Sequence, residues 1–288
     1  GIDVGGTTIK CALFLNDGTI LDKWEIKTNT DNGGERILPD VADGIAAKMQ
    51  EKQIEKTEVE GIGIGLPGPI EENGEIACAV NLHWGRKNIE KELQELTGMA
   101  VKAGNDANVA ALGEMWKGGG EGTRSLIMVT LGTGVGGGII VDGKIVTGAH
   151  GAGGEIGHAC VDPSETESCN CGNKGCLEQM ASATGIVRLA KKILAAETES
   201  TVLNAEDISA KAIFDAYKEG DAIAAKIVDR FAEYLGNALG IFGCVVDPEV
   251  FVIGGGVSKA GQFLIDMVQK DYDHFMTISK NKARLGLA

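Results

Sequence analysis

The sharpest chemical signal lies in mid-chain. His158, Cys169, Cys171 and Cys176 follow the spacing His-x10-Cys-x-Cys-x4-Cys, in a glycine-containing segment poor in apolar residues. Three thiolates and one imidazole complete a tetrahedral zinc set, and a site closed by protein ligands is structural rather than catalytic. Three free thiols in a loop are the competing reading, but free cysteine is usually buried and this segment is polar. Cys160, two residues from His158, is the one competing ligand. Cys11, Cys78, Cys160 and Cys244 sit in apolar contexts and are expected in the core. Glu155 precedes His158 and Glu178 follows Cys176 by two residues, so a zinc loop would bring these carboxylates near one point. Carboxylates recognise sugar hydroxyls by accepting hydrogen bonds. A metal-bound imidazole keeps its other N–H for an acceptor. His83 and His150 have no such setting and read as ordinary surface or core residues.

Asn105-Asp106-Ala107-Asn108 ends a predicted strand and opens a helix. Asp106 either caps that helix or accepts a proton from a substrate hydroxyl, as carboxylates do in phosphoryl transfer. Two glycine turns share one setting. Asp3-Val4-Gly5-Gly6-Thr7-Thr8 and Leu131-Gly132-Thr133-Gly134-Val135-Gly136-Gly137-Gly138 each lie between two strands. A Walker loop opens a helix with Gly-Lys-Ser/Thr, and a Rossmann fingerprint also needs a following helix, so both are excluded. The turns are then either tight hairpins without a ligand or cradles whose N–H groups and Thr hydroxyls face phosphate oxygens. Their recurrence at the same place in two halves favours cradles. Gly254-Gly255-Gly256 leaves a buried strand for a helix, where α/β sheets bind ligands. It reads as a floor for an adenosine moiety or as a plain turn.

The elements that must position these residues repeat. Residues 2–27 read as three strands with a glycine turn and an Asn16-Asp17-Gly18 hairpin. A helix is predicted over 35–53, a strand over 59–66 ending at Pro67-Gly68-Pro69, and a helix capped by Asn88 running to Leu96. A strand over 101–103 and a helix over 107–116 follow. After Gly118-Gly119-Gly120 the pattern restarts: strand 125–131, glycine turn 132–138, strand 139–141, Asp142-Gly143 hairpin, strand 144–147. Helices are predicted over 177–196, 206–219 and 221–245, then a central strand over 250–253 and a helix from Lys259. This repetition predicts an α/β fold of two similar domains, 1–118 and 119–288.

Composition bounds the partners. The 288 residues hold 43 glycines but only 5 prolines, which suits tight turns and close backbone approach to something bound. Lys and Arg number 27 against 41 Asp and Glu, a net charge of −14. That argues against nucleic-acid or acidic-membrane surfaces. An anionic ligand must then be held by backbone N–H groups, helix ends or a metal. No apolar stretch reaches membrane-spanning length, no signal peptide opens the chain, and seven cysteines point to the cytoplasm. The chain starts inside a strand without Met, so a few residues are expected to precede it.

Taken together, these motifs resemble the ROK family of the actin/hexokinase-like superfamily. The resemblance rests on Asp3-x-Gly-Gly-Thr-Thr8, Leu66-Pro-Gly-Pro69, Asn105-Asp-Ala-Asn108, Leu131-Gly-Thr-Gly-x-Gly-Gly-Gly138, Glu155-Ile-Gly-His158 and Cys169-x-Cys-Gly-x-x-Gly-Cys-Leu-Glu178, in that order over the whole chain. Asn81-Leu82-x-Trp84 and Ala110-Ala-Leu-Gly-Glu-Met-Trp116 look most like its bacterial glucokinases. The resemblance implies two ribonuclease H-like domains, each a mixed five-stranded sheet with flanking helices, around a cleft. ATP with Mg²⁺ would meet Asp3, Gly5, Gly6, Thr7, Thr8, Gly132, Thr133, Gly134, Gly136 and Gly137, with Gly254, Gly255 and Gly256 near the adenosine. Glucose would be bound by Gly68, Asn105, Asp106, Glu155, His158 and Glu178, with Asp106 taking the 6-hydroxyl proton and structural zinc shaping the pocket. It also implies a glycolytic enzyme, a homodimer or a homotetramer.

Two departures stand out. The last helix that such kinases send back to their first domain is missing, so truncation or weak domain coupling is expected. The 162–168 stretch looks inserted and reads as a surface loop that spares the metal ligands. Rival readings are a ROK kinase for N-acetylmannosamine, fructose or allose, and a non-catalytic sugar-sensing protein. A sugar-responsive repressor would need a helix-turn-helix before the phosphate hairpin. Polyphosphate is disfavoured as donor, for want of a basic stripe.

Overall fold

Alternating apolar residues and the Asn16-Asp17-Gly18 turn build the opening meander: β1 (Ile2–Val4), β2 (Thr8–Phe14) and β3 (Ile20–Lys27). The computed structural model describes residues 1–288. A short turn, α1 (Asp31–Gly34), leads into α2 (Ile37–Lys52), which buries Ile37, Leu38, Val41 and Ile45. Next come β4 (Ile62–Leu66), the small hairpin β5 (Glu75–Ile76) and β6 (Lys87–Asn88), α3 (Ile89–Thr97), β7 (Val101–Asn105) and α4 (Asp106–Lys117). Asn88 caps α3 as its spacing predicts, its side chain accepting from Lys91 N–H at 2.8 Å. The first sheet has the order β3-β2-β1-β4-β7, with β1 antiparallel to β2 and parallel to β4.

The second sheet repeats that plan with β8 (Leu126–Leu131), β9 (Val135–Val141), β10 (Lys144–Ile145), β11 (Val250–Gly254) and β12 (Arg284–Leu287), in the order β10-β9-β8-β11-β12. Here β8 is antiparallel to β9 and parallel to β11. Helices α5 (Leu177–Ala181), α6 (Ala183–Ala196), α7 (Ala210–Lys218) and α8 (Ala222–Val246) intervene, and α9 (Gln262–Phe275) precedes β12. The stripe Ile223, Ile227, Phe231, Leu235 and Leu239 of α8 is fully buried. Strand β11 is buried along its whole length, as its unbroken apolar run requires. No helix is long and apolar enough to cross a membrane.

Two compact units result. Unit 1 holds Gly1–Val109 with Ala149–Ala152, and unit 2 holds Ala110–Gly148 with Gly153–Ala288. The division therefore runs inside α4 rather than after residue 118, because Ala111 packs with Leu126, Met128, Ile140, Val250 and Val252 of the second sheet's core.

Several elements differ from the pattern read in the sequence. The helix expected over 177–196 breaks at Ser182, whose extended backbone and side chain cap α6 by accepting from Gly185 N–H. The glycine run of 132–138 is turn only in its first three residues, since Gly136, Gly137 and Gly138 pair with Thr130, Val129 and Met128 in the ladder. Of the cysteines expected in the core only Cys11 is buried, while Cys78, Cys160 and Cys244 are exposed. Apolar neighbours in sequence do not decide which face a residue occupies: on α8, Phe242 and Gly243 turn inward and Cys244 outward.

Candidate functional site

In unit 1, β7 delivers Asn105 and Asp106 to the start of α4. The capping role open to Asp106 falls to its neighbour. Asn105 Oδ1 accepts from the N–H groups of Ala107 (3.0 Å) and Asn108 (3.2 Å), and its Nδ2 donates to the Gly68 carbonyl at 3.2 Å. Asp106 accepts from the adjacent Ala107 N–H, at 2.8 Å, and from no N–H further along the helix. Solvent reaches this residue, yet protein crowds its carboxyl. Burial raises its pKa above the usual carboxylate value, the neighbouring Asp3 charge raises it further, and the Ala107 bond opposes both. The carboxylate is thus more basic than a surface aspartate.

The β1–β2 turn of the same unit has its carbonyls tied down. Thr28, buried behind it, donates its hydroxyl to the Gly5 carbonyl at 2.6 Å and its N–H to the Thr7 carbonyl at 3.0 Å. The N–H groups of Gly6 and Thr7 have no partner within the chain.

The β8–β9 turn of unit 2 is built alike. Ala183 N–H donates to the Gly132 carbonyl at 2.8 Å and Thr184 Oγ1 to the Thr133 carbonyl at 2.7 Å, while the N–H groups of Thr133 and Gly134 have no partner. Adjacent free amides with their carbonyls fixed behind them form a concavity suited to an anion. Gly255 lies against this turn with φ 87°, and a side chain there would meet the Leu131 carbonyl oxygen at 2.5 Å. Gly254 ends β11 opposite Thr130, and space beside Gly256 is open. Gly136 and Gly137 lie in β9 rather than in the turn.

The metal set converges. Ligand atoms of His158, Cys169, Cys171 and Cys176 all lie within 4.8 Å of one another. Cys171 Sγ is 3.7 Å from Cys176 Sγ, and Cys169 Sγ is 4.0 Å from His158 Nδ1. A tetrahedral zinc site has ligand–ligand edges of about 3.5–3.8 Å, so the donor set fits such a cation with small adjustments. Burial and the neighbouring thiols push Cys176 up to about 12, so its thiolate would form only beside a positive ion. Cys160 stands outside the set and is exposed.

Helix α5 starts at the last ligand. Cys176 N–H donates to Gln179 Oε1 at 3.2 Å, and Gln179 Nε2 donates to the Glu167 carbonyl at 3.1 Å. Two residues past that ligand, Glu178 Oε2 accepts from Val135 N–H at 3.1 Å, while its Oε1 lies 3.7 Å from Cys169 Sγ. Glu155, just before the 3₁₀ turn Ile156–His158, is exposed and its side chain has no partner.

Thr28, Thr184 and Gln179 are supporting residues that sequence reading missed. They lie 23, 51 and 12 positions from the groups they hold, beyond any local pattern. The 162–168 stretch is also more than a surface loop. Glu165 is largely buried between Arg188 and Lys192, and Asp162 accepts from Tyr234 Oη at 2.7 Å. The signal was Arg188 and Lys192 one helical turn apart, facing a pair of acids two residues apart.

Two sheets of one order, each with an anion-ready turn between its first two strands, define the actin/hexokinase-like class of folds. The ROK family model matches residues 1–285, and the chain belongs to the ROK family. It is 45% identical over 280 residues to a glucokinase of Halalkalibacterium halodurans, covering 96% of this chain and 85% of that protein. Among solved structures, a ROK hexokinase from Thermus thermophilus superimposes with a TM-score of 0.83 at 30% identity, over 100% of this chain and 91% of that one. A ROK family glucokinase from Streptomyces griseus, in complex with glucose and AMPPNP, gives 0.74 at 31%, over 100% and 92%.

Proposed function

We propose that this chain transfers the γ-phosphoryl group of ATP to the 6-hydroxyl of glucose. It is an ATP-dependent sugar kinase of the ROK family, a reading supported by 45% identity to a glucokinase and by the likeness to a glucokinase bound to glucose and AMPPNP. The observation that carries the reaction is Asp106. Asn105 relieves it of capping, and burial with the Asp3 charge keeps it basic enough to receive a proton.

In the proposed step Asp106 accepts the 6-hydroxyl proton while that oxygen bonds to the γ-phosphorus in line. The bond from phosphorus to the β–γ bridging oxygen breaks, and ADP leaves. Gly6, Thr7, Thr133 and Gly134 offer free N–H groups to phosphate oxygens, with Asp3, Gly5, Thr8, Gly132, Gly136 and Gly137 shaping the turns around them. Gly254, Gly255 and Gly256 would lie beside the adenosine. Mg²⁺ arriving with ATP neutralises phosphate charge. Asn105, Glu155, His158 and Glu178 accept from or donate to the sugar hydroxyls, with the Gly68 carbonyl held beside Asn105. His158 Nδ1, Cys169, Cys171 and Cys176 would hold zinc, whose contribution is to fix this sugar-binding loop. ATP and a hexose are the proposed partners and the cytoplasm the proposed location.

The test is a coupled ATP/Mg²⁺ assay with glucose, mannose, fructose, N-acetylmannosamine and allose, on the chain and on Asp106→Asn. Glucose should give the highest kcat/KM, and Asp106→Asn should lose about 10²–10⁴-fold in kcat. A different leading sugar would replace glucose in the assignment. An Asp106→Asn form within tenfold of the parent would remove Asp106 from its role.

A further inference from the structure

Segment 176–184 begins at a metal ligand and ends on the glycine turn. Cys176 caps α5. Glu178, two residues on, divides its carboxylate: Oε2 takes Val135 N–H at 3.1 Å, and Oε1 faces Cys169 Sγ, another metal ligand, at 3.7 Å. The turn closes directly over this carboxylate, since a side chain at Gly134 would collide with Glu178 Oε2. At the far end Ala183 and Thr184 hold the Gly132 and Thr133 carbonyls. Every residue from Gly132 to Val135 is therefore touched by, or packed on, a nine-residue segment whose start is set by the metal cluster.

We propose that Glu178 couples the metal loop to the anion-binding turn, so that metal occupancy sets the turn's order and its affinity for nucleotide as well as for sugar. Thr184 is a second positioning residue on the same turn. The nucleotide part rests on the kinase reading above, while the coupling itself does not. Coupling of this kind is reciprocal, so nucleotide in the turn also slows loss of metal from the loop.

The experiment is amide exchange of the whole chain, loaded with zinc or stripped by chelator, followed over residues 131–137 and, as control, over buried β11. Stripping should speed exchange over 131–137 by about tenfold or more and leave β11 unchanged. In zinc-loaded Glu178→Ala, exchange there should already be fast, and stripping should add little. AMPPNP affinity, read by calorimetry without sugar, should fall about tenfold on stripping and in Thr184→Val, with zinc retained by Thr184→Val. If stripping also frees β11, the zinc-loaded Glu178→Ala protein decides, because its turn is either fast, as proposed, or slow. A turn unaffected by stripping and by Glu178→Ala, or a chain that takes up no zinc, would overturn the coupling. Failure of the zinc-loaded chain to bind AMPPNP would instead count against the kinase reading, with the exchange result still deciding the coupling.

Discussion

Asp106 owes its character to Asn105, Asp3 and the protein packed around it. Asn105 supplies the helix cap, so the Asp106 carboxylate keeps acceptor capacity for a substrate proton. Crowding by protein disfavours its charge, and Asp3 opposes that charge again. A carboxylate whose pKa is raised is lost as a base when pH falls through that raised value. The acid limb of kcat/KM should therefore lie above the ordinary aspartate range, near 3.9. Asp3→Asn removes the like charge, so the limb should move to lower pH, whatever it does to nucleotide binding. A pH profile of kcat/KM on both forms reads this directly. An unmoved limb would mean that crowding alone sets the basicity of Asp106.

At the scale of elements, α6 organises the metal loop from outside it. Its Arg188 reaches Glu165 and Glu167, and Lys192 reaches the same two acids. Burial raises the pKa of Glu165, but the Glu167 N–H, Arg188 and Lys192 outweigh it and hold that carboxyl down to about 2. Removing Arg188 leaves a largely buried carboxylate with one cation. Arg188→Met should cost about 1–3 kcal/mol in denaturant unfolding, less than a fully orphaned charge because Lys192 remains. Arg188→Lys should recover only part of that, having no fork to span both acids. These ties also show what the sequence could and could not convey. Strands, hairpins, the Asn88 cap and the metal spacing were legible because each depends on residues close in sequence or on a strict chemical donor set. The full β8–β9 ladder is not legible in the sequence because glycines at 136–138 look like turn, whereas strand pairing with 128–130 absorbs them. The break at Ser182 was hidden inside a continuous helical pattern, and the function of the break is distant, since it sends Ala183 and Thr184 to the turn at Gly132 and Thr133. Exposure of Cys78, Cys160 and Cys244 was likewise invisible, because it is decided by the face each element presents after packing.

At the scale of the whole molecule, charge and ligand have the same sign. A chain with net charge −14 is proposed to bind the triphosphate of ATP through backbone N–H groups rather than through lysine or arginine side chains. Neutral dipoles aimed by Thr28, Ala183 and Thr184 attract phosphate at contact distance but do not steer it from afar. The net field instead repels an approaching anion over about a Debye length, roughly 10 Å at 0.1 M salt. Added salt screens that repulsion and leaves the short N–H contacts almost intact. The KM for ATP should therefore stay level or fall as ionic strength rises from about 20 to 200 mM at fixed free Mg²⁺, the reverse of a site that releases counterions from a basic patch. Steady-state kinetics across that range with glucose saturating would check it. A KM that climbs several-fold with salt would mean that side-chain cations, rather than the two glycine turns, carry the phosphate contacts.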